Sequence, residues 1–251
     1  MAGHSPWANI KHRKAAVDAK RGKLWTKLSK AIIVAARMGG GDPETNLRLR
    51  YAINDAKAVS MPKDNIERAV KRGTGELEGG EVEEIVYEGY GPGGVAILCE
   101  IMTDNRNRTA PEIRKVFDTW GGKLGATNCV AWMFERKGLF LVPATKTTEE
   151  QLMEATLDAG AEDIKLDGEH FQVTCAADAF HAVGEALTKS GIEPESKQLT
   201  RIPSNVVQVA NVETARSVLK LMEALDDHDD VQNVVANFTI PDSAMAAIAA
   251  G

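Results

Sequence analysis

Over the first quarter of the chain, apolar positions recur at three- and four-residue steps; past residue 80 the period falls to two. Leu24, Leu28, Ala31, Ile32 and Ala35 fall on one face of a helix predicted over 15–38. Gly22 is its weak point, and Gly39-Gly40-Gly41-Asp42-Pro43 ends it. A second helix is predicted over 45–59, with Leu49, Ala52, Ile53 and Ala56 inward. A third covers 62–72, where Pro62 suits the first turn and Gly73 the stop. Three short helices around one apolar seam predict a small bundle.

The segment Gly75–Gly80 reads as a linker. Beyond it, strand-like runs at 84–90 and 95–103 are joined by Gly91-Pro92-Gly93-Gly94. A helix is expected from Thr109, where Thr109-Ala110-Pro111-Glu112 matches a capping box, and Gly121-Gly122 closes it. Residues 137–203 then read as βαββαβ, the ferredoxin-like order, with a turn at Gly168. Residues 205–239 give β, α, β again, without a ββα unit beside them; residues 84–120 supply one. The expected fold is α+β and multidomain: a three-helix domain at 1–78, an α+β domain from 79–136 plus 204–241, and a ferredoxin-like domain at 137–203 inserted in it. Both α+β domains are expected to be ferredoxin-like. The alternative is two consecutive domains meeting near 143. The Ala-rich tail from Pro241 is expected to fray.

Charge changes this picture most. The net charge is −6, yet residues 1–75 carry sixteen Lys/Arg against six Asp/Glu, and the remainder fourteen against thirty. So steep a split predicts a polyanion-binding head on an acidic body. At about 100° per residue, Lys20, Lys23, Lys27, Lys30 and Arg37 fall within a sector about 100° wide, opposite the apolar seam. Arg21 adds to that cluster, and Lys63, Arg68, Lys71 and Arg72 add cations on the third helix. No apolar run reaches the roughly 18 residues that cross a bilayer, and the first residues have no signal-peptide core, so a cytoplasmic protein without membrane partners is expected. Cys99, Cys129 and Cys175 lack CxxC spacing, which argues against a disulfide framework or a cysteine zinc site.

Local motifs divide into chemistry and punctuation. Gly89-Tyr90-Gly91-Pro92-Gly93-Gly94 matches GxGxxG, but a strand follows where a dinucleotide site needs a helix; a tight hairpin is the better reading. Asp104-Asn105-Arg106-Asn107-Arg108-Thr109 lies between a strand end and a helix start. Arg106 and Arg108 there either clamp phosphates or close local salt bridges, and Lys123 could extend either network. The five histidines show no metal-ligand spacing. Asp226, Asp227, Asp229 and Asp230 lack the periodicity of a calcium loop and read as a solvated turn. No hydrolase or zincin motif is present, and no metal, cofactor or small-molecule substrate is expected. The strongest local signal is the arm Trp7, Asn9, Lys11, His12, Arg13 and Lys14: cations for phosphate, an indole for stacking, an amide for a base edge.

These residues carry a resemblance. Ala2-Gly-His-Ser5, Trp7-Ala-Asn9-Ile-Lys-His-Arg-Lys-Ala-Ala16 and Asp18-Ala-Lys-Arg-Gly-Lys23 closely resemble the start of the YebC/PmpR family. The likeness continues through Gly39–Pro43, Met61-Pro62, Tyr87–Gly94 and Asp104–Thr109. Pro6 stands where lysine is expected, which removes one cation and stiffens the arm. The resemblance implies a non-enzymatic cytoplasmic protein with a helical N-terminal domain and two α+β domains. Bacterial members are called DNA-binding transcriptional regulatory proteins; mitochondrial relatives are translational activators of cytochrome c oxidase, and bacterial relatives are linked to ribosomes. The expected activity is therefore nucleic-acid-binding regulation of gene expression. DNA in transcription is the first target, and ribosomal RNA, with the ribosome as partner, the alternative. A long basic stripe suits phosphates better than base edges, which on physical grounds leans towards RNA.

Overall fold

The computed structural model describes residues 21–250. Its first element, α1 (Arg21–Gly39), is followed by α2 (Leu47–Ala58) and α3 (Lys63–Gly73). Asn46 caps α2 by accepting from the Leu49 amide, and its side-chain nitrogen donates to the carbonyls of Ala35 and Gly40, both at 2.8 Å. One residue thus ties the end of α1 to the start of α2. Pro62 is the N-cap of α3 rather than its first helical residue. At the other end, α3 passes so close to α1 that a Cβ on Gly73 would lie 2.5 Å from the carbonyl oxygen of Ile33.

Over the described residues the helix spans match the apolar spacing, the stretch 15–20 of the first predicted helix lying outside them; the burial of α1 does not. Ile32, Ile33, Val34, Ala35 and Ala36 are all buried, whereas of the predicted seam Leu24 is exposed and Leu28 and Ala31 are half-buried. Their side chains share a core with Leu49, Ala56, Ile66 and Ala69 of the bundle, and also with Val82, while Met102 packs against it. The second half of α1 is therefore sandwiched between its own bundle and the body.

The body has two four-stranded antiparallel sheets. In the first, β1 (Glu83–Tyr90) and β2 (Ala96–Thr103) form a hairpin, flanked by β3 (Lys123–Leu124) and by β9 (Val231–Ala236), in the order β3-β1-β2-β9. The glycine loop is a hairpin turn, with Gly93 and Gly94 at φ 73° and 76°, a conformation that only glycine adopts without strain. The second sheet, in the order β5-β6-β4-β7, comprises β4 (Phe134–Pro143), β5 (Ala161–Asp167), β6 (His170–Ala176) and β7 (Ser196–Pro203). With α5 (Glu149–Thr156) and α6 (Phe180–Lys189) at the expected places, it has the ferredoxin-like order and connectivity. The first sheet varies that plan, because β8 (Val207–Gln208) pairs in parallel with β10 (Phe238–Thr239) and not with the sheet.

Helices α4 (Arg106–Thr119) and α7 (Val212–Asp226) cover the first sheet, and Ile113, Phe117, Val218, Leu221 and Leu225 join its core. The tail, expected to fray, is helical over residues 242–250. It forms α8 (Asp242–Ala250), which buries Ala244 and packs Met245 and Ile248 on that core. Alanine's helix propensity and this apolar edge outweigh terminal position. The bundle also reaches helix α6 beside the second sheet: Tyr51 of α2 meets Phe180 edge-on at 6.0 Å, and its hydroxyl hydrogen-bonds His181 Nδ1 at 2.8 Å.

Candidate nucleic-acid interface

The lysine sector of α1 points at the body. Lys27 Nζ donates to the carbonyl of Asp226 at 2.5 Å, Lys23 to that of Asp227 at 3.2 Å and Lys30 to that of Asp229 at 3.2 Å. These carbonyls belong to the C-terminal end of α7 and the turn after it, where a helix leaves acceptors unsatisfied and carries partial negative charge. Four aspartates at such an end would be repelled by it; the three lysines cap the carbonyls and offset the charge. The acidic run is thus solvated only in part: Asp227 and Asp229 are exposed, whereas Asp230 is buried. It is also the docking site of α1, which engages Lys23, Lys27 and Lys30 of the predicted stripe.

Asp230 is the centre of this junction. Its side chain is 2% exposed and pairs with Lys30, whose own side chain is 14% exposed. Its other oxygen accepts from Thr109 Oγ1 at 2.6 Å, Arg108 Nη2 at 2.9 Å and Thr103 Oγ1 at 3.2 Å. Burial alone would raise its pKa; the hydrogen bonds from Lys30, Thr109 and Arg108 overcome that and hold the carboxyl well below the usual carboxylate range. His228 Nδ1 accepts from the Asp230 amide at 3.1 Å, and His228 Nε2 meets Glu112 at 3.0 Å. Candidate ligand atoms of Glu112, His228 and Asp230 lie within 4.8 Å of one another. Lys30 and Arg108 already satisfy the Asp230 carboxylate, so this trio reads as a hydrogen-bonded network rather than a metal cradle.

The two loop arginines part company. Helix α4 starts at Arg106, three residues before the sequence suggested, because Asn105 caps it by accepting from the Arg108 amide at 3.1 Å. Thr109, expected as the cap, is inside the helix and buried on Asp230. Pro111 falls within α4, where its missing N–H costs one helical bond. Arg108 is bonded to Asp230 and lies 3.4 Å from Asp104 and 4.0 Å from Glu112. Arg106 is exposed and, among the described residues, in no ion pair. The local-salt-bridge reading therefore holds for Arg108.

Elsewhere the head meets the body through more opposite charges: Arg37 with Glu81 at 2.6 Å, Arg48 with Glu84, and Arg72 with Asp104 at 3.9 Å. Arg68 and Lys71 of α3 stay exposed. Trp7, Asn9, Lys11, His12, Arg13, Lys14 and Lys20 lie outside the described residues; Arg21 begins α1, its side chain outside them too. Asp230 is the residue sequence reasoning missed. Its signal was the run of acids at a predicted helix C-terminus, which calls for a cation from elsewhere.

Residues 5–76 match the model of the TACO1/YebC protein N-terminal domain, and residues 82–238 that of the TACO1/YebC second and third domain. The chain belongs to the TACO1/YebC family. It is 56% identical to a probable transcriptional regulatory protein of Rhodopirellula baltica, over 98% of this chain and all of that one. A protein of the same description from Natranaerobius thermophilus is 58% identical, over 98% of this chain and 99% of the other. The crystal structure of a conserved hypothetical protein from Aquifex aeolicus superposes with a TM-score of 0.86 at 52% identity, covering 95% of this chain and 98% of that one. The TACO1/YebC family thus supplies the α+β frame and a regulatory description. No described helix is long and apolar enough to cross a membrane.

Proposed function

We propose that this TACO1/YebC protein regulates gene expression by binding nucleic acid directly, without catalysis, with DNA the target in keeping with the transcriptional description of its relatives. The supporting observation is how its charge is distributed. Docking to the body engages Lys23, Lys27, Lys30, Arg37, Arg48 and Arg72. That leaves Arg68 and Lys71 exposed on α3 and Arg106 exposed on α4; the expected arm cations Lys11, Arg13 and Lys14, and Lys20 of the predicted stripe, lie outside the described residues. The arm and these exposed cations form the contact surface, and Trp7 and Asn9 supply base contacts. The test is a salt titration of duplex binding by the full chain and by a chain lacking residues 1–14. Removing Lys11, Arg13 and Lys14 should flatten the slope of log K against log salt by about 2–3. Equal slopes and affinities for the two chains would sink the assignment.

A second reading takes RNA, on the ribosome, as the target. The observation favouring it is that α1 spends Lys23, Lys27 and Lys30 on the acidic turn, so this helix does not offer those lysines to a major groove. Co-sedimentation with ribosomes under the same salt series separates the two targets.

A further inference from the structure

On the other side of the first sheet, a second surface has the marks of a built binding site. Trp132 is 71% exposed and Tyr90 39% exposed. They lie 42 positions apart in the chain, yet the Trp132 indole Nε1 and the Tyr90 hydroxyl donate to the same acceptor, the carbonyl of Cys129, at 3.3 and 3.2 Å. Each polar edge is thereby tied to the same carbonyl.

The loop beneath them is rigid for a definite reason. Glu88, buried within β1, accepts from the amides of Asn128 at 2.7 Å, Val130 at 2.8 Å and Ala131 at 2.7 Å. Its carbonyl accepts from Gly125 at 2.7 Å. Asn128 takes a left-handed φ of 65°, and a Cβ on Gly125 would lie 2.4 Å from Cys129 Sγ. Val130 and Phe134 anchor the segment in a small core with Ala96, Leu98 and Val235. A buried carboxylate with three backbone donors is a costly way to hold a loop whose most prominent side chain faces water.

The surroundings favour one kind of ligand. Lys123 of β3 is the register partner of Tyr90, so both side chains leave the same face of the sheet. From Lys123 to Met133 the only charged residue is Lys123 itself, and the flanking side chains are small or amide-bearing: Ala126, Thr127, Asn128. An aromatic face with a cation beside it and no carboxylate in its loop matches an unpaired nucleobase and its phosphate. A protein anchor would instead seat its aromatics in a desolvated apolar patch.

We infer that Tyr90, Trp132 and Lys123 form a stacking platform for an unpaired nucleotide in single-stranded nucleic acid, separate from the basic arm. This rests on the nucleic-acid reading above and narrows its substrate to strands with exposed bases; RNA and single-stranded DNA share the required chemistry.

The test uses the full chain, its W132A, W132F and K123A variants, and fluorescence anisotropy with labelled oligouridylate, oligothymidylate and a mixed-sequence duplex. W132A should weaken single-strand binding roughly ten- to hundred-fold while leaving duplex binding and the thermal melt unchanged. W132F, which keeps a ring, should restore most of the affinity, and K123A should reduce the single-strand salt slope by about 0.7. A larger loss on oligouridylate than on oligothymidylate identifies RNA as the ligand; equal losses identify the base and phosphate as the shared determinant. Single-strand affinity unchanged in W132A overturns the platform but spares nucleic-acid binding through the arm. Failure of the unsubstituted chain to bind any of the three probes overturns both.

Discussion

Asp230→Asn isolates the junction between head and body. The substitution keeps the side chain's size and one acceptor oxygen but removes the charge that Lys30 and Arg108 face. Lys30, 14% exposed, is left half-paired in a nearly dry site, whereas Arg108, 45% exposed, can turn to water and contributes less. The new amide NH2 also confronts a donor, either Lys30 or the Thr109 hydroxyl, whichever oxygen it replaces. Breaking one side of such a network costs about 2–4 kcal/mol, or a fall in melting temperature of about 5–15 °C for a chain of this size. The pH dependence gives an independent check. The folded-state pKa of Asp230 is lowered, so its stabilisation is fully present above the ordinary carboxylate value near pH ~4 and is lost as pH falls through the folded value. The difference in melting temperature between the original chain and Asp230→Asn should stay constant from about pH 5 to 8 and shrink below about pH 4. The assay is differential scanning calorimetry across that range. An unchanged melt at neutral pH, or a difference that persists undiminished in acid, would refute the junction as the source of stability.

Two further perturbations separate support from contact. Arg108→Ala should lower stability by about 1–2 kcal/mol, discounted for its exposure, whereas Arg106→Ala should stay within about 0.5 kcal/mol and weaken nucleic-acid binding instead; a thermal melt and a binding titration on the same samples decide between these roles. Glu88→Gln offers one acceptor oxygen where the structure uses two, so it should cost about 1–3 kcal/mol, speed hydrogen exchange at the amides of Asn128, Val130 and Ala131, and impair single-strand binding as W132A does. Unaltered exchange at those amides would show that Glu88 does not hold the loop.

What the sequence hid was which surface each polar face meets. The spacing of Lys23, Lys27 and Lys30 correctly put them on one side of a helix, because helical period is a local property. Whether that side faces water or an opposite charge is not local: the partner Asp230 lies 200 positions from Lys30. The unbroken apolar run Ile32-Ile33-Val34-Ala35-Ala36 was the clue that α1 is covered on more than one side, since a helix buried on a single stripe shows polar positions within any five residues. At α4, Thr109 is the expected cap, but Asn105 takes that place and Thr109 is drawn into the buried network around Asp230. Trp132 left no trace in any period, since its loop is held by a glutamate on a distant strand rather than by its own pattern. These misses share a cause with a functional consequence. The head is not a free polycation: phosphates that approach Lys23, Lys27 or Lys30 must compete with the helix end and aspartates that already hold them. On the proposed nucleic-acid function, that competition favours the cations outside the junction, and the acidic body would limit how much of the head's charge reaches the ligand.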